Sequence, residues 1–324
     1  MKYYIGIDLG GTNIVSGVVD ENFHILAKAS DKTNVGRPAE QIAHTMAETA
    51  KAAAEAAGLS LSQIESVGIG TPGVVDGDNG VVLAASNLNF SNVPLRELLN
   101  KELGLPIFVA NDADAAAYGE FMAGAGKTEN GKHIENMLAI TLGTGVGSGI
   151  IINSKIYNGC GHAGGEFGHS IIQVNGRQCS CGRKGCVDVY CSATGLILTT
   201  KEQMEKHPES CMWDMCGHDL NKVEGYHCFD AAAKGDGAGK AAVEEYTSVL
   251  AEAVLNAANT LQPEIICIGG GVSKQGENLL RPIRKYMDQF CLDRFGSKRT
   301  QVRIAELGND AGVIGAALIG LQAE

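Results

Sequence analysis

The chain has 324 residues, more than a single hydrophobic core usually serves, so its length predicts two lobes. Hydrophobic residues make up 44%, charged residues 19% and aromatic residues 5%, which is typical of an α/β globular protein and not of a disordered or fibrous one. A formal net charge of -11 at pH 7 argues against a surface that neutralises nucleic-acid phosphates or anionic lipids.

The sequence shows no targeting or membrane segment. The opening MKYYIGIDLGG lacks an apolar core of signal-peptide length, and the longest apolar run, around Gly312 to Leu321, is far below the ~20 residues that span a bilayer. In such a chain, the ten cysteines are expected to be thiols or metal ligands and not disulfides. We therefore expect a cytoplasmic protein that binds neither nucleic acid nor membranes.

The first part of the chain predicts strands alternating with helices. The run Tyr3 to Leu9 ends in two glycines and resumes at Ile14 to Val19, which predicts a β-hairpin with a glycine turn. The elements predicted next are the helix Ala39 to Ala57, the strand Val67 to Gly70, the helix Leu95 to Leu103, the strand Ile107 to Ala110 and the helix Ala113 to Met122. Asn111 and Asp112 thus follow the end of a strand, where open α/β sheets bind their ligands.

The second part repeats the opening pattern after a loop over 124–136. The elements predicted here are the strand Met137 to Leu142, a glycine-rich turn from Gly143 to Gly149, the strand Ile150 to Ile152, the helix Lys240 to Leu261, the strand Glu264 to Ile268, the helix Lys274 to Phe290, the strand Val302 to Glu306 and the helix Ala311 to Leu321, capped by Asn309 and Asp310. Residues 201–228 predict only irregular structure or short helices. We place the first crossing between lobes near Ala113 to Met122.

Two glycine-rich segments are candidate phosphate sites. DLGGTN (Asp8 to Asn13) and LGTGVGSG (Leu142 to Gly149) each follow a strand and lead into another. Glycines let backbone N–H groups approach an anion, and Thr12 and Thr144 can add hydroxyl donors. Either segment alone is equally well explained as a hairpin turn, whereas the two together predict a two-sided phosphate clamp. GGGVS (269–273), between a strand and a helix, suits a ribose-bearing ligand.

Asp112 is the candidate general base. Phosphoryl transfer to a hydroxyl requires positioning and a carboxylate that accepts the hydroxyl proton. Asn111 and the segment SNLNF (86–90) supply amides suited to holding several hydroxyls. An aspartate at this junction is also often a helix cap, so that alternative stays open.

A cysteine-rich stretch completes the set of motifs. HSIIQVNGRQCSCGRKGC (169–186) gathers one histidine and three cysteines just downstream of the glycine-rich segment. Together with Asp8 to Asn13, Asn111-Asp112, Leu142 to Gly149, GGEFGH (164–169) and Gly269 to Ser273, it resembles the ROK family of sugar kinases and repressors, its bacterial glucokinases in particular. These motifs are collinear over nearly the whole chain.

The resemblance implies an actin-like ATPase (ribonuclease H-like) fold of two lobes with the active site between them. We assign 1–115 plus 307–324 to a smaller N-terminal lobe, and 116–306 to a larger lobe that carries the zinc-binding loop 169–186. The resemblance also implies that ATP with Mg²⁺ phosphorylates a hexose, and the hexose expected first is glucose, which would give glucose 6-phosphate. It further implies a homodimer. The alternatives are an N-acetylmannosamine or N-acetylglucosamine kinase, or a non-catalytic sugar sensor. Repressors of the family carry an N-terminal helix-turn-helix, for which the seven residues before Asp8 leave no room.

The resemblance also implies roles for individual residues. Those expected to hold the sugar are Asn87, Asn111, Asp112, Glu166, His169 and Asp188. Those expected to hold the nucleotide are Asp8, Gly10, Gly11, Thr12, Asn13, Thr144, Gly145, Gly270 and Gly271, with Asp8 near Mg²⁺. Those expected to bind a structural Zn²⁺ are His169, Cys179, Cys181 and Cys186, which suits a closed tetrahedral site; a disulfide or reactive thiols are the alternatives.

Asp188 departs from the family pattern, which usually has glutamate there. Aspartate is one methylene shorter, so its carboxylate would lie about 1.5 Å short of the same hydroxyl. Asp188 is also explained as an acidic residue at a helix start. This position therefore leaves the identity of the hexose open.

Overall fold

The protein is described by a computed structural model over residues 1–127 and 134–323, so part of the loop expected over 124–136 lies outside the described residues. The strands are β1 (Tyr3–Leu9), β2 (Asn13–Asp20), β3 (Ile25–Lys32), β4 (Ile64–Thr71), β5 (Val74–Asp76), β6 (Val81–Ala85), β7 (Phe90–Val93), β8 (Ile107–Asn111), β9 (Met137–Leu142), β10 (Val146–Ile152), β11 (Lys155–Ile156), β12 (Ile265–Gly269) and β13 (Gln301–Ile304). The helices are α1 (Ala39–Ala56), α2 (Leu95–Leu103), α3 (Asp112–Ala123), α4 (Asp188–Cys191), α5 (Ala193–Lys206), α6 (Met212–Met215), α7 (His227–Ala233), α8 (Gly237–Leu261), α9 (Glu277–Phe290) and α10 (Ala311–Leu318).

The first sheet has the strand order β3-β2-β1-β4-β8. Strands β1 and β2 are antiparallel with Leu9 opposite Ile14, which confirms the predicted hairpin with its glycine turn. Strands β4 and β8 add in parallel, so the ends of β1, β4 and β8 share one edge of the sheet. Ile5 and Ile7 of β1 are fully buried and share a core with Ile42 of α1. This edge brings Asp8 and Asp112 close enough to interact electrostatically.

The other two sheets have the orders β11-β10-β9-β12-β13 and β5-β6-β7. Strand β10 begins at Val146, so the turn predicted over 143–149 is wrong beyond Gly145. Gly149 is a strand residue, and a Cβ there would lie 2.5 Å from the Ala117 Cβ. Close packing and not chain reversal therefore explains this glycine.

Contacts divide the chain into two compact units, with bounds that differ from the predicted ones. The first unit comprises 1–138, 149–165 and 306–324, and the second comprises 139–148 and 166–305. The whole of α3 lies in the first unit because it packs tightly on α10. A Cβ at Gly315 would lie 1.7 Å from the Ala115 carbonyl oxygen, and one at Gly119 would lie 2.3 Å from that of Ala311. These glycines let the two helices approach closely.

Further differences from the predicted elements are local. The helix expected from Lys274 begins instead as a 3₁₀ turn, Gly271–Gln275, ahead of α9. Asp310 makes no side-chain cap for α10; its Oδ1 accepts a 2.7 Å hydrogen bond from Lys28 Nζ. Residues 201–228 contain the end of α5 and the short helix α6, as expected. Within the described ranges, every helix is too short or too polar to cross a membrane.

Candidate active site and zinc-binding loop

The first glycine turn, residues 10–12, joins β1 to β2. The Gly10 N–H donates to the Asn13 carbonyl at 2.9 Å. Thr33 also fixes this turn, because its Oγ1 donates to the Gly10 carbonyl at 2.6 Å and its N–H donates to the Thr12 carbonyl at 3.0 Å. A Cβ on Gly11 would meet no described atom within 4 Å, so this glycine borders open space. A turn whose carbonyls are engaged and whose glycine borders open space suits an anion.

Asp8 lies at the end of β1, beside this turn. Burial, and then the nearby Asp112 carboxylate, raise the pKa of Asp8 from 3.8 to about 6. A Cβ on Gly312, at the start of α10, would lie 3.2 Å from Asp8 Oδ2, so a small residue there leaves room for the carboxylate. Two neighbouring half-buried carboxylates, each with a raised pKa, are suited to a cation, which would favour both ionised forms.

Asp112 is the first residue of α3, and Asn111 is its N-cap. Asn111 Oδ1 accepts from the N–H groups of Ala113 at 2.8 Å and Asp114 at 3.3 Å. The cap position is thus filled by Asn111, although Asp112 Oδ1 also accepts from the Ala113 N–H at 2.9 Å. Burial raises the pKa of Asp112, opposed by its hydrogen bonds to backbone N–H groups and Asn111. A half-buried carboxylate with a raised pKa is a suitable proton acceptor.

Asn111 also connects this site to the turn after β4. Its Nδ2 donates to the Gly73 carbonyl at 3.0 Å. Gly73 has φ of 101°, and a Cβ there would lie 2.1 Å from the Ala84 carbonyl, so only glycine fits. Asn87 lies nearby in sequence, exposed in the turn between β6 and β7. The first unit therefore holds Asp8, Gly10, Gly11, Thr12, Asn13, Asn87, Asn111 and Asp112.

The second glycine turn, residues 143–145, joins β9 to β10. The Gly143 N–H donates to the Gly145 carbonyl at 3.0 Å. Thr144 is exposed, and Gly145 is half-buried beside Asp188, whose Oδ1 would lie 2.7 Å from a Cβ at that glycine. Asp188 Oδ1 accepts a 2.7 Å hydrogen bond from the Val146 N–H. Asp188 is also the first residue of α4, as the helix-start alternative expected, and its role in sugar binding stays a prediction.

Gly270 and Gly271 follow β12 and differ from each other. Gly270 has φ of 83°, and a Cβ there would lie 2.4 Å from the Leu142 carbonyl at the end of β9. Close packing against Leu142 therefore explains why residue 270 is a glycine. A Cβ on Gly271 would meet no atom of the described chain within 4 Å, so Gly271 is the member of this pair that borders open space.

The cysteine-rich stretch folds into one compact loop with four candidate metal ligands. Ligand atoms of His169, Cys179, Cys181 and Cys186 all lie within 4.8 Å of one another. The Cys181 and Cys186 sulfurs are 3.6 Å apart, and Cys179 Sγ is 3.7 Å from His169 Nδ1. Zinc–sulfur bonds of about 2.3 Å place tetrahedral ligands about 3.8 Å apart, so the spacing fits Zn²⁺ and is far too long for a disulfide.

The electrostatics of the loop also favour a cation. Burial and the neighbouring Cys181 and Cys179 thiols raise the pKa of Cys186 to about 12, so three adjacent thiolates require a compensating positive charge. His169 turns Nδ1 toward Cys179, which leaves Nε2 for another partner. Glu166 is exposed and lies in the same turn, where its carbonyl accepts from the His169 N–H at 3.0 Å.

Arg177 supports this loop and had no role assigned from the sequence. Its guanidinium lies over the Tyr190 ring at 4.7 Å and donates to Glu202 at 2.6 Å and to Thr199 at 3.0 Å. These contacts fasten the loop to α5. The second unit holds the remaining predicted residues: Thr144, Gly145, Glu166, His169, Cys179, Cys181, Cys186, Asp188, Gly270 and Gly271.

Comparison with known proteins settles the family. The sequence model described as the ROK family matches residues 4–323. The chain belongs to the ROK family. This confirms the resemblance seen in its motifs and, with it, the actin-like ATPase fold.

Several relatives match this chain over nearly their full length. The glucokinase of Halalkalibacterium halodurans is 37% identical over 100% of this chain and 96% of its own, and that of Thermotoga maritima is 34% identical over 97% and 96%. A ROK family glucokinase of Streptomyces griseus, solved with glucose and AMPPNP, has a TM-score of 0.77 and 35% identity over 99% of both chains. An N-acetylmannosamine kinase of Salmonella paratyphi B is 28% identical over 97% of both chains.

Proposed function

We propose that the protein is an ATP-dependent glucokinase that converts glucose to glucose 6-phosphate. The observation that carries the proposal is the half-buried Asp112, with its raised pKa, at the end of β8 in a chain 34–37% identical to glucokinases. An N-acetylmannosamine kinase is the second candidate, favoured by a full-length relative of that name at 28% identity. The higher identity places glucose first.

Asp112 accepts the proton of the sugar hydroxyl as the hydroxyl oxygen attacks the γ-phosphorus and ADP leaves. Asn111 fixes the start of α3 and so orients this carboxylate. Asn87, Glu166 and His169 are proposed to hold sugar hydroxyls. These contacts would place one sugar hydroxyl within hydrogen-bond reach of Asp112. A general base must reach the proton that it accepts, so the transfer would be specific for that hydroxyl.

The nucleotide is proposed to lie against the two glycine turns. Gly10, Gly11, Thr12, Asn13, Thr144 and Gly145 would bind its phosphates, with Gly270 and Gly271 next to the nucleoside. Asp8 would hold Mg²⁺ through water, and this ion neutralises phosphate charge when bound. His169, Cys179, Cys181 and Cys186 would hold a structural Zn²⁺, and the assembly as a cytoplasmic homodimer remains a prediction from the family resemblance.

The test is ADP release from Mg-ATP with glucose, mannose, allose, fructose, N-acetylglucosamine and N-acetylmannosamine, against a blank without sugar. We expect glucose to give the highest kcat/KM. Asp112→Asn should bind glucose but lower kcat by roughly 10²–10⁴, the usual contribution of a positioned general base. Asp31→Asn, an exposed carboxylate of β3, is the matched control and should be unchanged.

The outcomes separate the candidates. A higher kcat/KM for N-acetylmannosamine than for glucose would establish the second candidate. Turnover no higher than the blank with every sugar would overturn the kinase assignment. Activity of Asp112→Asn within tenfold of the wild type would remove Asp112 from its role as the base.

A further inference from the structure

The glycine turn 143–145 is held by the short segment that follows the zinc-binding loop. Asp188 Oδ1 accepts from the Val146 N–H at 2.7 Å. Six residues later, the Thr194 Oγ1 donates to the Thr144 carbonyl at 2.8 Å, and the Ala193 N–H donates to the Gly143 carbonyl at 2.8 Å. Residues 188–194 thus hydrogen-bond to the Gly143 and Thr144 carbonyls of the turn and to the Val146 N–H just after it.

Two of these bonds engage carbonyl oxygens that would repel a phosphate, and the third engages the Val146 N–H at the exit of the turn. An anion-binding turn must present N–H groups, and its carbonyl oxygens, which carry partial negative charge, must point elsewhere. Two carbonyls, those of Gly143 and Thr144, are occupied by Ala193 and Thr194. Asp188 fixes the exit of the turn at the buried Val146. The three contacts therefore define which backbone groups are left for a ligand.

The position of Asp188 explains its departure from glutamate. Its Oδ1 would lie 2.7 Å from a Cβ on Gly145, so the carboxylate already occupies the space beside the turn. A side chain one methylene longer would have to move its carboxylate away to keep the same backbone, because the Val146 N–H is already at 2.7 Å.

We propose that Asp188 and Thr194 are positioning residues for the nucleotide, which set the turn 143–145 for the phosphates of ATP. The proposal rests on the proposed function in assigning ATP to this turn. It predicts that loss of either contact weakens nucleotide binding, and that loss of the Thr194 contact leaves sugar binding unchanged.

Thr194→Val is the cleaner variant, because Thr194 is exposed and valine keeps its shape without the hydroxyl. We expect the Kd of Mg-AMPPNP, measured by calorimetry, to rise roughly 3- to 10-fold, the effect of one lost hydrogen bond. The KM for glucose should stay within twofold. Thr260→Val is the matched control, since it removes a hydroxyl whose hydrogen bond lies within α8, to the Asn256 carbonyl.

Asp188→Ala and Asp188→Asn separate the two roles of this position. Alanine leaves the buried Val146 N–H without its acceptor and should raise the Kd of Mg-AMPPNP roughly tenfold or more, whereas the asparagine oxygen still accepts and should keep it within about threefold. Zinc content and melting temperature are measured for each variant, so that loss of the loop is recognised.

A rise in glucose KM for Asp188→Ala at unchanged nucleotide Kd would overturn the proposal and assign Asp188 to sugar binding instead. An unchanged nucleotide Kd in both Thr194→Val and Asp188→Ala would overturn it too, as would a wild-type protein that binds no Mg-AMPPNP. Failure of the proposed function is distinct: the wild type would bind Mg-AMPPNP but phosphorylate no sugar, and the Kd values would still decide the role of residues 188 and 194.

Discussion

At the scale of single residues, Asp8 makes stability depend on pH. Its pKa is raised from 3.8 to about 6, so the folded state disfavours its ionised form. The contribution of Asp8 to the free energy of unfolding is therefore fully present below pH 3.8, where the carboxyl is protonated, and is lost as the pH rises through about 6. Asp8→Asn should therefore stabilise the metal-free protein by about 1–2 kcal/mol at pH 7.5, allowing for solvent screening, and by close to zero at pH 4. Urea unfolding at both pH values checks this, and an equal effect at both would contradict it.

At the scale of secondary-structure elements, Glu120 joins the end of α3 to the segment that leads into α10. The side chain is buried, with 3% of its surface exposed. Its carboxylate accepts from the N–H groups of Ala125 and Glu306 at 3.0 Å and of Leu307 at 2.8 Å. Glu120→Ala leaves these donors without acceptors and should lower the free energy of unfolding by about 3–5 kcal/mol.

Glu120→Gln keeps one carbonyl oxygen and should cost less than the alanine variant. Denaturant unfolding measures both, with Glu55→Ala on the exposed face of α1 as the control. If Glu120→Ala lost no more stability than Glu55→Ala, the three hydrogen bonds would not hold these elements together.

Elements were predictable where the chain itself carries the signal. The β1–β2 hairpin follows from two β-rich runs around Gly10 and Gly11, and α2 from its apolar spacing and terminal glycine. Strands β5, β6 and β7, of three to five residues, were missed, since runs this short are defined by pairing with one another.

Within the candidate site, too, only residues marked by a local sequence pattern could be predicted. Asp112 was identifiable because it follows a predicted strand, and the zinc ligands because they are close in sequence. Thr33 and Thr194 were missed: the first lies 23 residues from Gly10 and the second 50 residues from Thr144. No local pattern marks a hydroxyl that bonds a distant backbone carbonyl.

At the scale of the whole molecule, we expect the stability of the chain to depend on zinc. Cys179 and Cys186 are buried, and burial together with the neighbouring thiols raises the pKa of Cys186 to about 12. Without a metal, the loop must therefore bury thiols in place of metal-bound thiolates. Binding of zinc to such ligand sets contributes directly to folding. Cys181→Ser removes an exposed ligand with little change in shape.

This variant should fall from about one zinc per chain to nearly none, since a closed site needs all four ligands. Its melting temperature should drop by about 5–15 °C, the shift expected for the loss of a few kcal/mol in a chain of this size. Elemental analysis and scanning calorimetry measure the two effects. Cys160→Ser, exposed and outside the cluster, should keep both zinc and stability. Retention of one zinc per chain in Cys181→Ser would refute the ligand set, whereas loss of zinc at an unchanged melting temperature would keep the ligands but deny the metal a structural role.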